Sequence, residues 1–168
     1  VSGLGKVANI IAVASGKGGV GKSTTASGLA LALKNLGFKV GLVDADIHGP
    51  SSSFITPTAS PQFMREGLVV PPLFAGIKVI SAAMFNTSGG AHILRGPITG
   101  SLVKQLIQQT DWQDLDYLII DYPPGTGDIH LSISQNVVLT GVVLVSSPQK
   151  LALEDTKKAL FMFDTLKV

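Results

Sequence analysis

Residues 16–23 read Gly16-Lys17-Gly18-Gly19-Val20-Gly21-Lys22-Ser23, the spacing of a phosphate loop: a glycine, four residues, then Gly-Lys and a Ser or Thr. In such a loop, backbone N–H groups and the N-terminus of the next helix face phosphate oxygens. The glycines permit both the tight turn and the close approach. Lys22 is expected opposite the β- and γ-phosphates, Ser23 on Mg²⁺, and Thr24 among the nucleotide contacts of the first helical turn. Lys17 is a second lysine that phosphate cradling alone does not require. Phosphoryl transfer has a use for positive charge supplied by a partner subunit, and the plainer alternative is a solvated lysine with no role.

Carboxylates come from elsewhere in the chain. Tyr117-Leu118-Ile119-Ile120 leads into Asp121, as a strand delivers a carboxylate to the Mg²⁺ end of such a site. Pro123-Pro124-Gly125-Thr126-Gly127-Asp128 follows. This is a stiff entry and then permissive glycines, suited to a switch that senses the γ-phosphate through a backbone N–H, with Gly125 as the contact. Asp44 and Asp46 follow another apolar run. Asp46 is favoured to orient the attacking water, and Asp44, nearer the strand, to act around Mg²⁺ with Ser23 and Asp121. Turn or helix capping is the alternative for either aspartate. The expected catalytic set is Lys17, Lys22 and Asp46. His48, His92 and His130 show no pairing at metal-ligand spacing, so no catalytic metal other than Mg²⁺ is expected and none of the three is given a role. The absence of an Asn-Lys-x-Asp sequence favours adenine over guanine.

Positioning these residues takes alternating strands and helices. Strands are expected at 10–14, 39–43, 77–81, 117–120 and 141–145, and helices at 23–36, 98–109 and 151–166. The first helix carries Ala26, Leu29, Ala30, Leu33 and Leu36 on one stripe, with Gly37 at its C-terminal cap. Residues 47–76, rich in Pro and Ser, read as a long irregular excursion. The pattern predicts an α/β fold, a mostly parallel doubly wound sheet with ligands at the carboxyl ends of its strands. At 168 residues, 45% of them hydrophobic, the chain is expected to form one domain. It stops just after a helix, where a further strand is due, so a C-terminally truncated fold is expected.

The net charge is +2 and the basic residues are scattered, which argues against a nucleic-acid partner. No apolar run is long enough to span a bilayer, so stable membrane insertion is not expected. With no cysteine, the chain has no disulfide and no thiolate metal site, in keeping with a reducing compartment.

Taken together, the doubled-lysine loop, residues 43–51 (Val-Asp-Ala-Asp-Ile-His-Gly-Pro-Ser), Arg95-Gly96-Pro97 and the run from Asp121 to Asp128 resemble the Mrp/NBP35 family of P-loop ATPases, and around Leu131 to Gln149 the chain looks most similar to its mitochondrial Ind1-like branch. The resemblance covers nearly the whole chain. It implies a P-loop NTPase of the deviant Walker A type that assembles or carries iron-sulfur clusters, as a homodimer or a heterodimer with a related subunit, serving iron-sulfur client proteins in the cytoplasm or mitochondrial matrix. It further implies that Lys17 reaches the partner's nucleotide, that Asp46 activates water, and that Pro148 and Gln149 lie near the adenine. The family's Cys-x-x-C is missing, so a cluster is expected only in a longer form that carries it. The competing readings are a ParA/MinD-like spatial regulator and a nucleotide-binding module that does not hydrolyse.

Overall fold

Short apolar runs closed by glycine or aspartate form the strands, and the segments with helical periodicity pack across them. The computed structural model describes residues 4–46, 62–63, 67–81, 84 and 100–168. The expectations for His48, His92 and Arg95 lie outside them. In chain order the elements are β1 (Val7–Ala14), α1 (Lys22–Asn35), β2 (Val40–Asp44), β3 (Gln62–Phe63), β4 (Val69–Val70), β5 (Leu73–Phe74) and β6 (Ile77–Ser81). Then come α2 (Gly100–Gln108), β7 (Leu115–Asp121), α3 (Asp128–Asn136), β8 (Gly141–Leu144) and α4 (Lys150–Thr165).

Six strands form one sheet in the order β5-β6-β2-β7-β1-β8. All neighbours are parallel except β5 and β6, which make an antiparallel hairpin. Ala75 and Gly76 turn that hairpin, both with positive φ, the conformation a two-residue connection needs to match strand twist. The first strands of the chain, β1 and β2, are separated by β7. Their carboxyl ends, with that of β7, therefore face one crevice.

Both faces of the sheet are covered. On one, Ala26 and Ala30 of α1 meet Val13, Val40, Leu42, Val79 and Ile119. On the other, Leu118 and Ile120 of β7 meet Ile107 of α2, Ile133 of α3 and Phe163 of α4. The alternation of Leu118, Ile119 and Ile120 between faces is the two-residue period of a strand. α1 ends as its glycine predicts: Gly37 has φ 94, its N–H bonds Lys34 O at 3.0 Å, and the Phe38 N–H bonds Leu33 O at 3.2 Å, a Schellman closure. Leu36, expected on the buried stripe, is instead the capping residue and is 74% exposed.

Two differences from the sequence reading stand out. Residues 47–76, expected to be irregular, contain β5 and the antiparallel pair β3 and β4. Strands this short carry too few residues to show a period. The unforeseen helix α3 follows the glycine-rich loop directly and buries only His130 and Ile133, a stripe too thin to read as amphipathic. Among the described residues, no helix is long and apolar enough to cross a membrane.

Gly41 is a spatial constraint on β2. A Cβ there would lie 2.7 Å from Leu115 Cδ1, 2.9 Å from Leu118 Cδ1 and 3.0 Å from Trp112 Cε3. Gly41→Ala should therefore destabilise the fold by about 1–3 kcal/mol through overpacking. Chemical denaturation checks this, and an unchanged midpoint would show that the three side chains yield freely.

Candidate nucleotide site

The loop of residues 16–21 leaves the end of β1 and runs into α1, whose first residue is Lys22. Gly19 and Gly21 have φ 76 and φ 91, so the backbone turns where side chains would be strained. Gly16 meets a different demand. A Cβ on it would sit 2.2 Å from the backbone carbon of Asp155 and 2.6 Å from the backbone nitrogen of Thr156. The loop is thus seated directly on the backbone of α4.

Strand register sets the rest of the site. Asp44 of β2 lies opposite Asp121 of β7, Asp121 opposite Val13 of β1, and Ser81 of β6 opposite Asp44. Lys22 comes in from the start of α1, buried, with Nζ 2.5 Å from Asp121 Oδ1, 3.9 Å from Asp46 Oδ2 and 3.2 Å from Ser23 Oγ. Asp44 Oδ1 accepts the Asp46 N–H at 3.0 Å, and its Oδ2 accepts the Ser81 hydroxyl at 3.2 Å. The structure therefore gathers Lys22, Ser23, Asp44, Asp46 and Asp121 at one point, with the Lys22 ammonium resting on carboxylates.

Burial governs the carboxylates. It pushes Asp121 up from the usual range, while the charge and hydrogen bonds of Lys22, and a hydrogen bond from Ser23, partly offset the rise. Asp44 is pushed up to about 6, first by burial and next by the charge of Asp121, with hydrogen bonds from Asp46 and Ser81 acting against the rise. Among the described residues, no group of three or more His, Cys, Asp or Glu is arranged to hold a metal ion by itself. A Mg²⁺ at Ser23 and Asp121 would need nucleotide oxygens to complete its shell, as is usual for this ion.

The remaining site residues lie around this centre. Lys17 is not free in solvent: its Nζ donates to Gln149 Oε1 at 3.2 Å. Lys17, expected at the partner's nucleotide, and Gln149, expected near the adenine, meet within one chain. Pro148 is exposed beside Gln149, and Thr24 is exposed in the first turn of α1. Gly125 has φ 96, and its N–H donates to Ser15 O at 3.0 Å, so the loop expected to sense phosphate is docked on the residue before the phosphate loop. His130, given no role from its spacing, is buried beneath this loop and bonded to both ends of it. A signal was present, because His130 is the third residue of a helix capped by Gly127, where a side chain reaches back to the capping N–H.

A family model described as ParA, NUBPL iron-transfer P-loop NTPase, matches residues 6–168. The chain belongs to the NUBPL iron-transfer P-loop NTPase family. An iron-sulfur cluster carrier protein of Pseudomonas fragi is 47% identical over 171 residues, covering 100% of this chain and 60% of that protein. A nucleotide-binding protein of Archaeoglobus fulgidus, solved in complex with ADP, matches with a TM-score of 0.82 at 37% identity, over 98% of this chain and 65% of that one. The cell division ATPase MinD of Pyrococcus furiosus, 22% identical, matches with a TM-score of 0.63 over 95% of this chain and 68% of its own, a likeness of fold. The motif resemblance and the doubly wound P-loop fold both agree with these findings. The NUBPL-family chain spans about half the length of the curated relatives it matches.

Asp44 makes the site's charge measurable. Its folded pKa lies above the ordinary 3.8, at about 6, so between these values the folded chain holds a proton that the unfolded chain has lost. Stability then falls as pH rises through that window, by up to about 3 kcal/mol. Asp44→Asn keeps the shape of the neutral carboxyl. It should stabilise the nucleotide-free chain by about 1–3 kcal/mol near pH 8 and hardly at all near pH 4. Urea unfolding at both pH values tests this, and an equal gain at each would rule out the charge as the cause.

Proposed function

We propose that this chain binds and slowly hydrolyses Mg·ATP as one half of a nucleotide-dependent dimer, in the assembly or transfer of iron-sulfur clusters. The observation that carries the nucleotide reading is the convergence of Lys22, Ser23 and Asp121, from α1 and β7, beside a glycine loop whose backbone is shaped for phosphate. Asp46 and Asp121 face one buried ammonium, and Asp44 stands beside them, accepting the Asp46 N–H, so the site has excess negative charge that a divalent cation would neutralise. Ser23 and Asp121 would hold Mg²⁺. Lys22 would leave the carboxylates for the β- and γ-phosphates, and Asp46, already within reach of Lys22, would orient the attacking water. The ADP bound by the Archaeoglobus fulgidus protein supports a nucleotide ligand for this chain.

Lys17 is assigned to the nucleotide across the dimer. Its contact with Gln149 is a resting place that it leaves when the second subunit docks. The cluster part of the reading rests on family membership and on relatives named iron-sulfur cluster carrier proteins. This chain has no cysteine, so the cluster thiolates would come from a Cys-x-x-C outside these residues, two subunits contributing to one cluster. The MinD likeness supports the shared fold alone, so the spatial-regulator reading is not preferred.

Two lysine variants test the nucleotide reading. Lys22→Ala should abolish tight Mg·ATP binding in a fluorescent-analogue titration. Lys17→Ala should bind within about threefold of the parent and lose on the order of a hundredfold or more in single-turnover hydrolysis, as expected for a charge supplied in trans. Unchanged affinity in the first variant removes the phosphate-loop assignment, and unchanged turnover in the second removes Lys17 from the chemistry.

The cluster reading has its own experiment. After anaerobic reconstitution with iron and sulfide, a longer form carrying Cys-x-x-C should bind cluster through thiolates of both subunits, and the 168-residue chain should bind none. Iron analysis and absorbance decide it. A longer form that takes up no cluster would leave only the ATPase.

A further inference from the structure

The 123–127 loop is held at both ends by one side chain. His130 Nε2 donates to the carbonyl oxygen of Pro123 at 2.7 Å, and His130 Nδ1 accepts the N–H of Gly127 at 3.2 Å. Of the forms of imidazole, only the neutral Nε2–H tautomer makes both bonds, since the cation has no acceptor and the other tautomer has its donor and acceptor reversed. Burial, and to a lesser degree the charge of Lys22, hold the His130 pKa below the ordinary 6.5 despite the two backbone bonds. The neutral ring is therefore the resting form at neutral pH.

The clamp is itself fixed. The His130 ring lies 5.7 Å from the ring of Tyr122. Tyr122 is buried, is hydrogen-bonded through its hydroxyl to Ser134 at 3.1 Å, and packs edge-on against Phe163 of α4. Pro123 and Gly127 are thus tied to the core. The middle of the loop is differently placed: Thr126 is exposed, and Gly125 reaches the phosphate loop through its N–H bond to Ser15. That N–H must exchange Ser15 for a phosphate oxygen if the loop senses nucleotide.

We propose that His130 is a positioning residue for hydrolysis, clamping Pro123 and Gly127 so that the loop's response to the γ-phosphate is confined to Gly125 and Thr126. The inference rests on the ATPase reading above and adds a residue that touches neither nucleotide nor metal in it. With its ends fixed, the loop has few conformations to lose when Gly125 meets the phosphate, and the N–H is delivered in one orientation. Ground-state affinity comes mainly from residues 16–23 and should not depend on the clamp. Turnover should.

Three forms of the full chain test this: the parent, His130→Phe, which keeps an aromatic ring but neither hydrogen bond, and His130→Gln. Glutamine is an ordinary partner for a capping N–H from this helix position, and its amide also supplies a donor for Pro123. His130→Phe should bind the ATP analogue within about threefold of the parent and hydrolyse it about tenfold or more slowly, and His130→Gln should recover most of that loss. Amide hydrogen exchange gives a second readout independent of turnover. Nucleotide should change protection at Gly125 and Thr126 alone in the parent, and at Gly127 as well in His130→Phe, Pro123 and Pro124 having no amide hydrogen to exchange. If His130→Phe turns over like the parent, or if glutamine rescues nothing while both variants remain folded, the clamp is wrong. A parent that binds nucleotide without hydrolysing it would refute the ATPase reading. The exchange pattern would then decide the clamp: spreading in His130→Phe supports it, and no spreading overturns it.

Discussion

β2 and β7, the central strands, end in register at the carboxyl end of the sheet, so Asp44 and Asp121 stand side by side at the ordinary strand spacing of about 4.8 Å. Burial costs both carboxylates their hydration and pushes both above their usual range, and at Asp44 the charge of Asp121 adds to the rise. Lys22 is drawn in from the adjoining helix to Asp121, and the backbone N–H of Asp46 and the hydroxyl of Ser81 are turned toward Asp44. A buried ion pair of this kind says little about stability by itself. On the function proposed above, the pair marks where the ligand would enter: the Lys22 ammonium would exchange a carboxylate for phosphate, and a divalent cation would take its place beside Asp121.

The same centre is mechanically connected to α4 by three contacts. Gly16 lies against the helix backbone at Asp155 and Thr156, Lys17 reaches Gln149 at its N-terminal side, and Tyr122, directly after Asp121, packs on Phe163 near its far end. A change at the phosphate loop or after β7 therefore meets a helix that cannot ignore it, because packed interiors transmit small displacements instead of absorbing them. α4 borders β8, one of the two edge strands of the sheet among the described residues. The nucleotide centre is in this way joined to one side of the molecule by packing alone.

Much of this was legible in the residues themselves. The phosphate loop, the closure of α1 at Gly37 and the apolar run into Asp121 are local features. Glycine at positive φ, a lysine and serine at fixed offsets and an apolar strand ending in a carboxylate each act through backbone geometry within a few residues. The parallel sheet followed from the alternation of strands and helices. Short or thin elements were not legible: β3, β4 and β5 have two residues each, and α3 buries little beyond His130 and Ile133. What only the tertiary structure decided were contacts between residues far apart in the chain. Lys22 meets Asp121 across 99 positions and Lys17 meets Gln149 across 132. His130 lies near its loop in sequence, yet its tautomer and burial follow from Tyr122 beneath it and from the loop folding back over it. Spacing reports which chemical groups a chain carries, whereas charge balance, burial and protonation depend on neighbours that strand order and register bring together.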